Sequence, residues 1–207
     1  MVLDAYRHVA DAILDPMARG LRSVSPDALS WTALGFAAAA GVAFYRGGAT
    51  LLLLGTLFVF LNALFDALDG KVAKLTGRAS RRGDFLDHVL DRYADIFILG
   101  GIALSGYCPL WLGLLALLGV LLTSYMGTQA QAVGIGRQYG GALGRADRLV
   151  IVVAVAVLQA VADPLGRSPL GLDPLRLTFL GWGMALFAVL GHVTAIQRGV
   201  ATWRRLT

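Results

Sequence analysis

The chain is 207 residues long, 57% hydrophobic and only 15% charged, with a mean hydropathy of +0.69; a water-soluble domain carries about a quarter charged residues, so an ordinary soluble globule is excluded. Its net charge of +5 is distributed around apolar runs rather than gathered into one basic face, which argues against nucleic acid as a partner. A single cysteine, Cys108, excludes an intrachain disulfide.

At the start of the chain, Val2, Tyr6, Val9 and Ile13 fall on one side at helical spacing, against Asp4, Arg7, His8, Asp11 and Asp15 on the other. Residues 1–24 therefore predict a short amphipathic helix, either lying on a membrane surface or packing as an ordinary helix before the first span. Pro16 is expected to end or kink it. The acids interrupt any apolar core of a signal peptide there.

Apolar runs follow at 28–45 and 49–65, then a long stretch at 96–133 broken by "SGYCP", then 149–161 and 177–196. The 149–161 run is short unless its flanks join it. A helix crosses the hydrocarbon with about 20 residues, so residues 25–207 predict an all-α membrane unit of six spans. Alternating strand patterns are absent from the sequence, which disfavours a barrel. Basic residues gather before span 1 (Arg7, Arg19, Arg22), after span 2 (Lys71, Lys74, Arg78, Arg81, Arg82), after span 4 (Arg137, Arg145, Arg148) and after span 6 (Arg198, Arg204, Arg205). The other side has only Arg46, Arg167 and Arg176. The positive-inside rule then places both termini and both basic loops on the cytoplasmic side of the cell membrane.

The stretch "DALDGKVAKLTGRASRRGDFLDHVLD" joins the end of span 2 to the start of span 3. Asp66 and Asp69 are i, i+3 neighbours and Asp87 and Asp91 are i, i+4 neighbours, so each pair shares a helix face. A hairpin brings the pairs together near the interface, where four carboxylates cannot all ionise unaided. Simple pairing with Lys71, Lys74, Arg78, Arg81, Arg82 and Arg92 would account for one such acid better than for four. A hard divalent cation accounts for all of them, because Mg²⁺, Mn²⁺ and Ca²⁺ prefer oxygen ligands. No Cys or His cluster is evident beside the acids, which disfavours structural zinc.

The same residues have a family spacing. Asp66, Asp69, Gly70, Ala73 and Lys74, then eight residues, then Gly83, Asp87 and Asp91 resemble the signature D-x2-D-G-x2-A-R-x8-G-x3-D-x3-D of the CDP-alcohol phosphatidyltransferases. Lys74 is the one departure, a cation without the bidentate fork of arginine. "SPDALSWTALG" resembles the family's P-N-x-L-T segment, with Asp27 in place of Asn. The resemblance implies six spans, an interfacial N-terminal helix and a homodimer. It implies transfer of a phosphatidyl or archaetidyl group from a CDP-linked lipid to an alcohol, with release of CMP. It implies that Asp66, Asp69, Asp87 and Asp91 hold divalent metal, Mg²⁺ or Mn²⁺ and two ions, with Asp91 a ligand, the general base or both. Asp66, Asp69, Gly70, Ala73, Lys74, Ser80 and Gly83 would line the CDP-lipid site.

"SYMGTQAQAVGIGRQYGGALGRADRL" is similar to the corresponding segment of the phosphatidylinositol-phosphate synthase branch. There Arg145, Arg148 and Arg198 match arginines that hold the phosphate of the acceptor. The branch carries basic residues where Gly127 and Gln129 stand, so a roomier pocket is expected at Gly127. The implied acceptor is a phosphorylated polyol, inositol phosphate first and glycerol 3-phosphate as the alternative. An ion-coupled transporter, the competing class, places its acids near the bilayer midplane in repeated halves, and no half-repeat is evident here. His192 is expected to form a hydrogen bond between helices.

Overall fold

The computed structural model describes residues 7–167 and 176–206. Val2, Asp4 and Tyr6 of the expected amphipathic face lie outside the described residues, as does the side chain of Val9. Seven α-helices follow in order: α1 (Arg7–Gly20), α2 (Pro26–Arg46), α3 (Ala49–Leu75), α4 (Arg81–Ala103), α5 (Leu110–Ala132), α6 (Arg145–Ala162) and α7 (Phe179–Leu206). A short 3-10 turn, Asp163–Leu165, extends α6 and completes the run that was short in the sequence.

Local chemistry sets these boundaries. Ser25 caps α2 by accepting from Ala28 N at 3.2 Å, and Pro26 occupies the first turn, where its missing N–H is no loss. Gly47 and Gly48 turn the chain into α3 with φ of 70° and 86°, a region other residues avoid. Ser80 caps α4, and the Asp147 carboxylate accepts from Gly144 N to start α6. Pro16 neither ends α1 nor marks its boundary, because the helix continues to Gly20. Its missing donor falls on the exposed surface of a short helix that is held by packing: Leu14, Ala18, Leu21 and Val24 pack with Leu29, Leu64, Leu68 and Val72. Thus α1 docks on the end of α3, while Ile13 of the expected apolar face is 63% exposed.

Among the described residues five helices, α2, α3, α5, α6 and α7, are long and apolar enough to cross a membrane. The expected third span corresponds to α4, which falls short on composition because its first three turns carry Arg81, Arg82, Asp84, Asp87, His88, Asp91 and Arg92. The bundle packs α2 against α3 and α4, α5 against α7, and α6 against α3 and α7. Two crossings are backbone to backbone. A Cβ on Gly101 would lie 2.2 Å from Gly41 O, and one on Gly191 would lie 2.7 Å from Gly119 C. Small residues permit this approach, which supplies the close packing that lipid cannot drive. Thr123 Oγ1 donates to Gly191 O at 2.8 Å across the second crossing. His192 instead contacts Ala188 O of its own helix at 2.8 Å, so its hydrogen bond is intrahelical and only its ring abuts α5.

One end of the bundle is tied by Tyr107. Its hydroxyl accepts from Gly48 N at 3.0 Å and donates to Asp163 at 2.5 Å, while Thr178 Oγ1 donates to its carbonyl at 2.5 Å. That knot gathers the α2–α3, α4–α5 and α6–α7 connections. The acidic cluster therefore lies at the opposite end, with the α3–α4 turn, the α5–α6 loop and the start of α6.

Candidate active site

The last turns of α3 and the first turns of α4 present the four motif carboxylates to one another. Asp66, Asp69 and Asp87 each offer an oxygen within 4.8 Å of the others. Asp69 and Asp91 are buried, and Asp66 and Asp87 are half-buried. Ser30 of α2, within the "SPDALSWTALG" segment, donates its hydroxyl to Asp69 Oδ2 and also lies 3.2 Å from Pro26 O. This residue went unremarked in the sequence; its signal was its place four residues after a helix-starting proline on the helix facing the motif.

A second grouping joins Asp87, His88 and Asp91 within 4.8 Å. A single histidine, His88, thus lies among the acids, with no Cys or His cluster beside it among the described residues. Its Nε2 is 3.4 Å from Asp84 Oδ1 and its Nδ1 is 3.4 Å from Asp87 Oδ2. The donor set remains dominated by carboxylate oxygens, which fits a hard divalent cation better than zinc.

Three arginines enter the cluster. Arg145 Nη1 stands 2.6 Å from both Asp66 Oδ2 and Asp91 Oδ1, bridging α3 and α4 from the start of α6. Arg148, one turn on and 3% exposed, pairs with buried Asp95 at 3.1 Å. Arg92 spans Asp91 at 3.4 Å and Asp95 at 3.6 Å. The Nε groups of Arg92, Arg145 and Arg148 are buried and have no hydrogen-bond partner among the described residues. An unpaired buried donor is costly, so three of them beside the motif carboxylates suit an anion with several acceptor oxygens.

The third matched arginine, Arg198, does something else. It donates to the carbonyls of Gly140 at 2.8 Å, Thr123 at 2.8 Å and Tyr139 at 3.1 Å, fastening the α5–α6 loop to α5 and α7. A cavity of about 420 Å³ lies beside it, lined by Gln138, Gly140, Gly141, Ala142, Gln197, Arg198 and Ala201. The loop also corrects the expectation of spare room at Gly127, where a Cβ would lie 2.8 Å from Gln138 O and 3.3 Å from Arg198 Nη1.

Of the expected CDP-lipid residues, Gly70 is exposed with open space around it, and Ala73 is half-buried. Ser80 accepts from Gly83 N at 3.1 Å, which makes it the cap of α4 in this structure. Lys74 is exposed and lines a groove of about 540 Å³ between α1 and α3 with Asp15, Ala18, Arg19, Lys71 and Leu75. Lys71 is drawn to Asp11, at 2.7 Å, and to Asp15.

A family model described as CDP-alcohol phosphatidyltransferase matches residues 23–194. The chain is 31% identical over 205 residues to archaetidylinositol phosphate synthase of Methanothermobacter thermautotrophicus, covering 99% of this chain and 96% of that one. The crystal structure of Mycobacterium tuberculosis phosphatidylinositol phosphate synthase with CDP-DAG bound superposes with a TM-score of 0.75 at 30% identity, covering 93% and 94% of the two chains. The same enzyme in complex with manganese and citrate gives 0.74 at 30% identity, covering 92% and 88%.

Proposed function

Because the chain belongs to the CDP-alcohol phosphatidyltransferase family, we propose that it moves a phosphatidyl or archaetidyl group from a CDP-linked lipid to a phosphorylated polyol, inositol phosphate first, and releases CMP. The observation that carries the acceptor reading is the set of buried, unpaired guanidinium donors on Arg92, Arg145 and Arg148 beside the motif carboxylates. An acceptor without a phosphate leaves those donors unpaired. The relatives named as inositol-phosphate synthases and the solved enzyme with CDP-DAG support the same reading.

Asp66, Asp69, Asp87 and Asp91 would hold divalent metal, two Mg²⁺ or Mn²⁺ ions, as the oxygen-rich donor set and the manganese complex of the solved enzyme support. Bound there, the ions neutralise the donor pyrophosphate and the departing CMP. The acceptor hydroxyl oxygen attacks the lipid-side phosphorus, its proton passes to a base, and the bridging P–O bond breaks with its electron pair leaving on CMP. Asp91, buried and with Oδ1 ion-paired to Arg145 Nη1 at 2.6 Å, would serve as the general base, a metal ligand or both. Gly70, Ala73, Lys74, Ser80 and Gly83 would border the nucleotide, and Arg198 would shape the acceptor side through the loop it fastens. The site would face the cytoplasm in a six-span homodimer, α4 serving as the third span.

The test is release of CMP from a CDP-lipid by purified protein with Mg²⁺ or Mn²⁺, offered inositol phosphate, glycerol 3-phosphate, serine or free inositol in turn. Inositol phosphate is expected to be used best, and Asp66→Asn or Asp87→Asn to abolish turnover while the protein stays folded. Equal use of phosphorylated and free alcohols would overturn the acceptor reading, and full activity in excess chelator would overturn the metal reading.

A further inference from the structure

The α5–α6 loop reaches the acidic cluster through Arg137. Arg137 places Nη1 on His88 Nε2, and His88 is the residue that follows Asp87 on α4. Guanidinium donates and never accepts, so the contact requires Nε2 to be the accepting nitrogen. The ring proton then sits on Nδ1. That nitrogen is buried, has no hydrogen-bond partner among the described residues and faces Asp87 Oδ2 at 3.4 Å. The neighbouring Asp84 Oδ1, 3.4 Å from Nε2, adds negative charge on the side where Arg137 sits.

Arg137 is itself held. Its guanidinium lies 5.4 Å from the centroid of the Tyr139 ring. The Tyr139 and Gly140 carbonyls are fastened by Arg198, and Leu143 N donates to Thr194 Oγ1 at 3.1 Å. The loop is thus anchored on α7 at one end and on His88 at the other.

We propose that Arg137 and His88 form a positioning bridge, through which the α5–α6 loop fixes the tautomer of the imidazole and the imidazole aims the Asp87 carboxylate. This rests on the reading of Asp87 as a metal ligand. It gives the chain a physical link between the side of the cleft that carries the loop and the side that carries the metal ligands. An outer partner that orients a ligand typically alters metal affinity 10- to 100-fold when removed. The bridge predicts that Arg137, which cannot ligate a cation, nevertheless governs how well one binds.

The test uses the full-length protein in detergent, with ¹⁵N-histidine labelling and a direct Mn²⁺ titration. The chain has three histidines, His8, His88 and His192, so His88→Gln assigns the His88 signal. Wild type is expected to show His88 as the neutral Nδ1–H tautomer, and Arg137→Ala to mix the tautomers. His88→Ala is expected to raise the Mn²⁺ Kd roughly 10- to 100-fold, Arg137→Ala to raise it several-fold, and the double variant to be no worse than His88→Ala alone. His88→Gln, which keeps a donor and an acceptor, should stay within a few-fold of wild type.

Arg137→Ala that tightens Mn²⁺ binding, as mere removal of a nearby positive charge does, overturns the proposal. So does an unchanged tautomer, or additivity of the two substitutions. If His88→Gln binds Mn²⁺ as poorly as His88→Ala while Arg137→Ala has no effect, His88 is itself a ligand and the bridge is wrong. Should His88→Ala lose its helical circular dichroism, Arg137→Ala and His88→Gln decide between these outcomes. Absence of CMP release by wild type with the Mn²⁺ coupling intact would instead count against the proposed reaction.

Discussion

Asp69 is the deepest of the three acids that share the first grouping, and its only side-chain donor among the described residues is a hydroxyl from another helix, Ser30. A buried carboxylate without that donor must find another or rotate, so Ser30→Ala is expected to weaken Mn²⁺ binding roughly 10-fold or more while helicity is retained. Isothermal titration of the variant checks this, and unchanged affinity would mean that Ser30 only packs. Arg145 and Arg148, matched together in the sequence, part company in the structure. Arg145 is half-buried and shared between Asp66 and Asp91, whereas Arg148 neutralises Asp95 in a buried pair. Replacing one partner of a buried pair strands the other at a cost of roughly 3–5 kcal/mol. Arg148→Ala should therefore lower the melting temperature, read by thermal unfolding in detergent. Arg145→Ala should raise the acceptor KM roughly ten- to hundred-fold, the loss of one charge-assisted contact.

Among the elements, α4 shows how a helix can be a poor span by composition and still be placed among spans. Its charged turns face Arg145, Arg148 and the loop, while Ile98, Leu99, Ile102 and Ala103 enter the apolar core. What lets it approach α2 is the Gly41–Gly101 crossing. Gly101→Ala would drive a methyl into Gly41 O, where backbone has to move, and such overpacking costs roughly 1–3 kcal/mol. The neighbouring Gly100, with nothing within 4 Å of a Cβ, is the control. A lowered melting temperature for Gly101→Ala alone is the expected result, and equal behaviour of the two variants would deny the crossing its role. By contrast α1 earns its place through packing on α3 and through Lys71 with Asp11 and Asp15, so its helix survives an internal proline.

At the scale of the molecule, the bundle has two unlike ends, one closed by the Tyr107 knot and one carrying the carboxylates and arginines. From the charge asymmetry we propose that the second end faces the cytoplasm. Arg205→Cys and Arg167→Cys, both exposed and at opposite ends, test this with a membrane-impermeant maleimide. Inverted vesicles should label Arg205→Cys and spare Arg167→Cys; the reverse pattern would turn the protein over. Native Cys108 gives little background, because it is buried and burial pushes its thiol up to about 11, leaving little reactive thiolate.

The sequence by itself determined the helices, their order, the hairpin that pairs Asp66 and Asp69 with Asp87 and Asp91, and the family, because apolar length and i, i+3 or i, i+4 spacing are local properties. It could not apportion the arginines. Arg145, Arg148 and Arg198 look alike in the chain, yet one bridges Asp66 and Asp91, one neutralises Asp95 and one binds two loop carbonyls and one of α5. It likewise read Gly127 as spare room that the Gln138 carbonyl occupies, and it passed over Ser30 and His88, whose partners lie 39 and 49 residues away. Those assignments depend on which helices cross and where a loop folds back. Only tertiary packing decides that, because a side chain's partner is chosen by proximity in space and by what remains unpaired there, not by its neighbours in the chain.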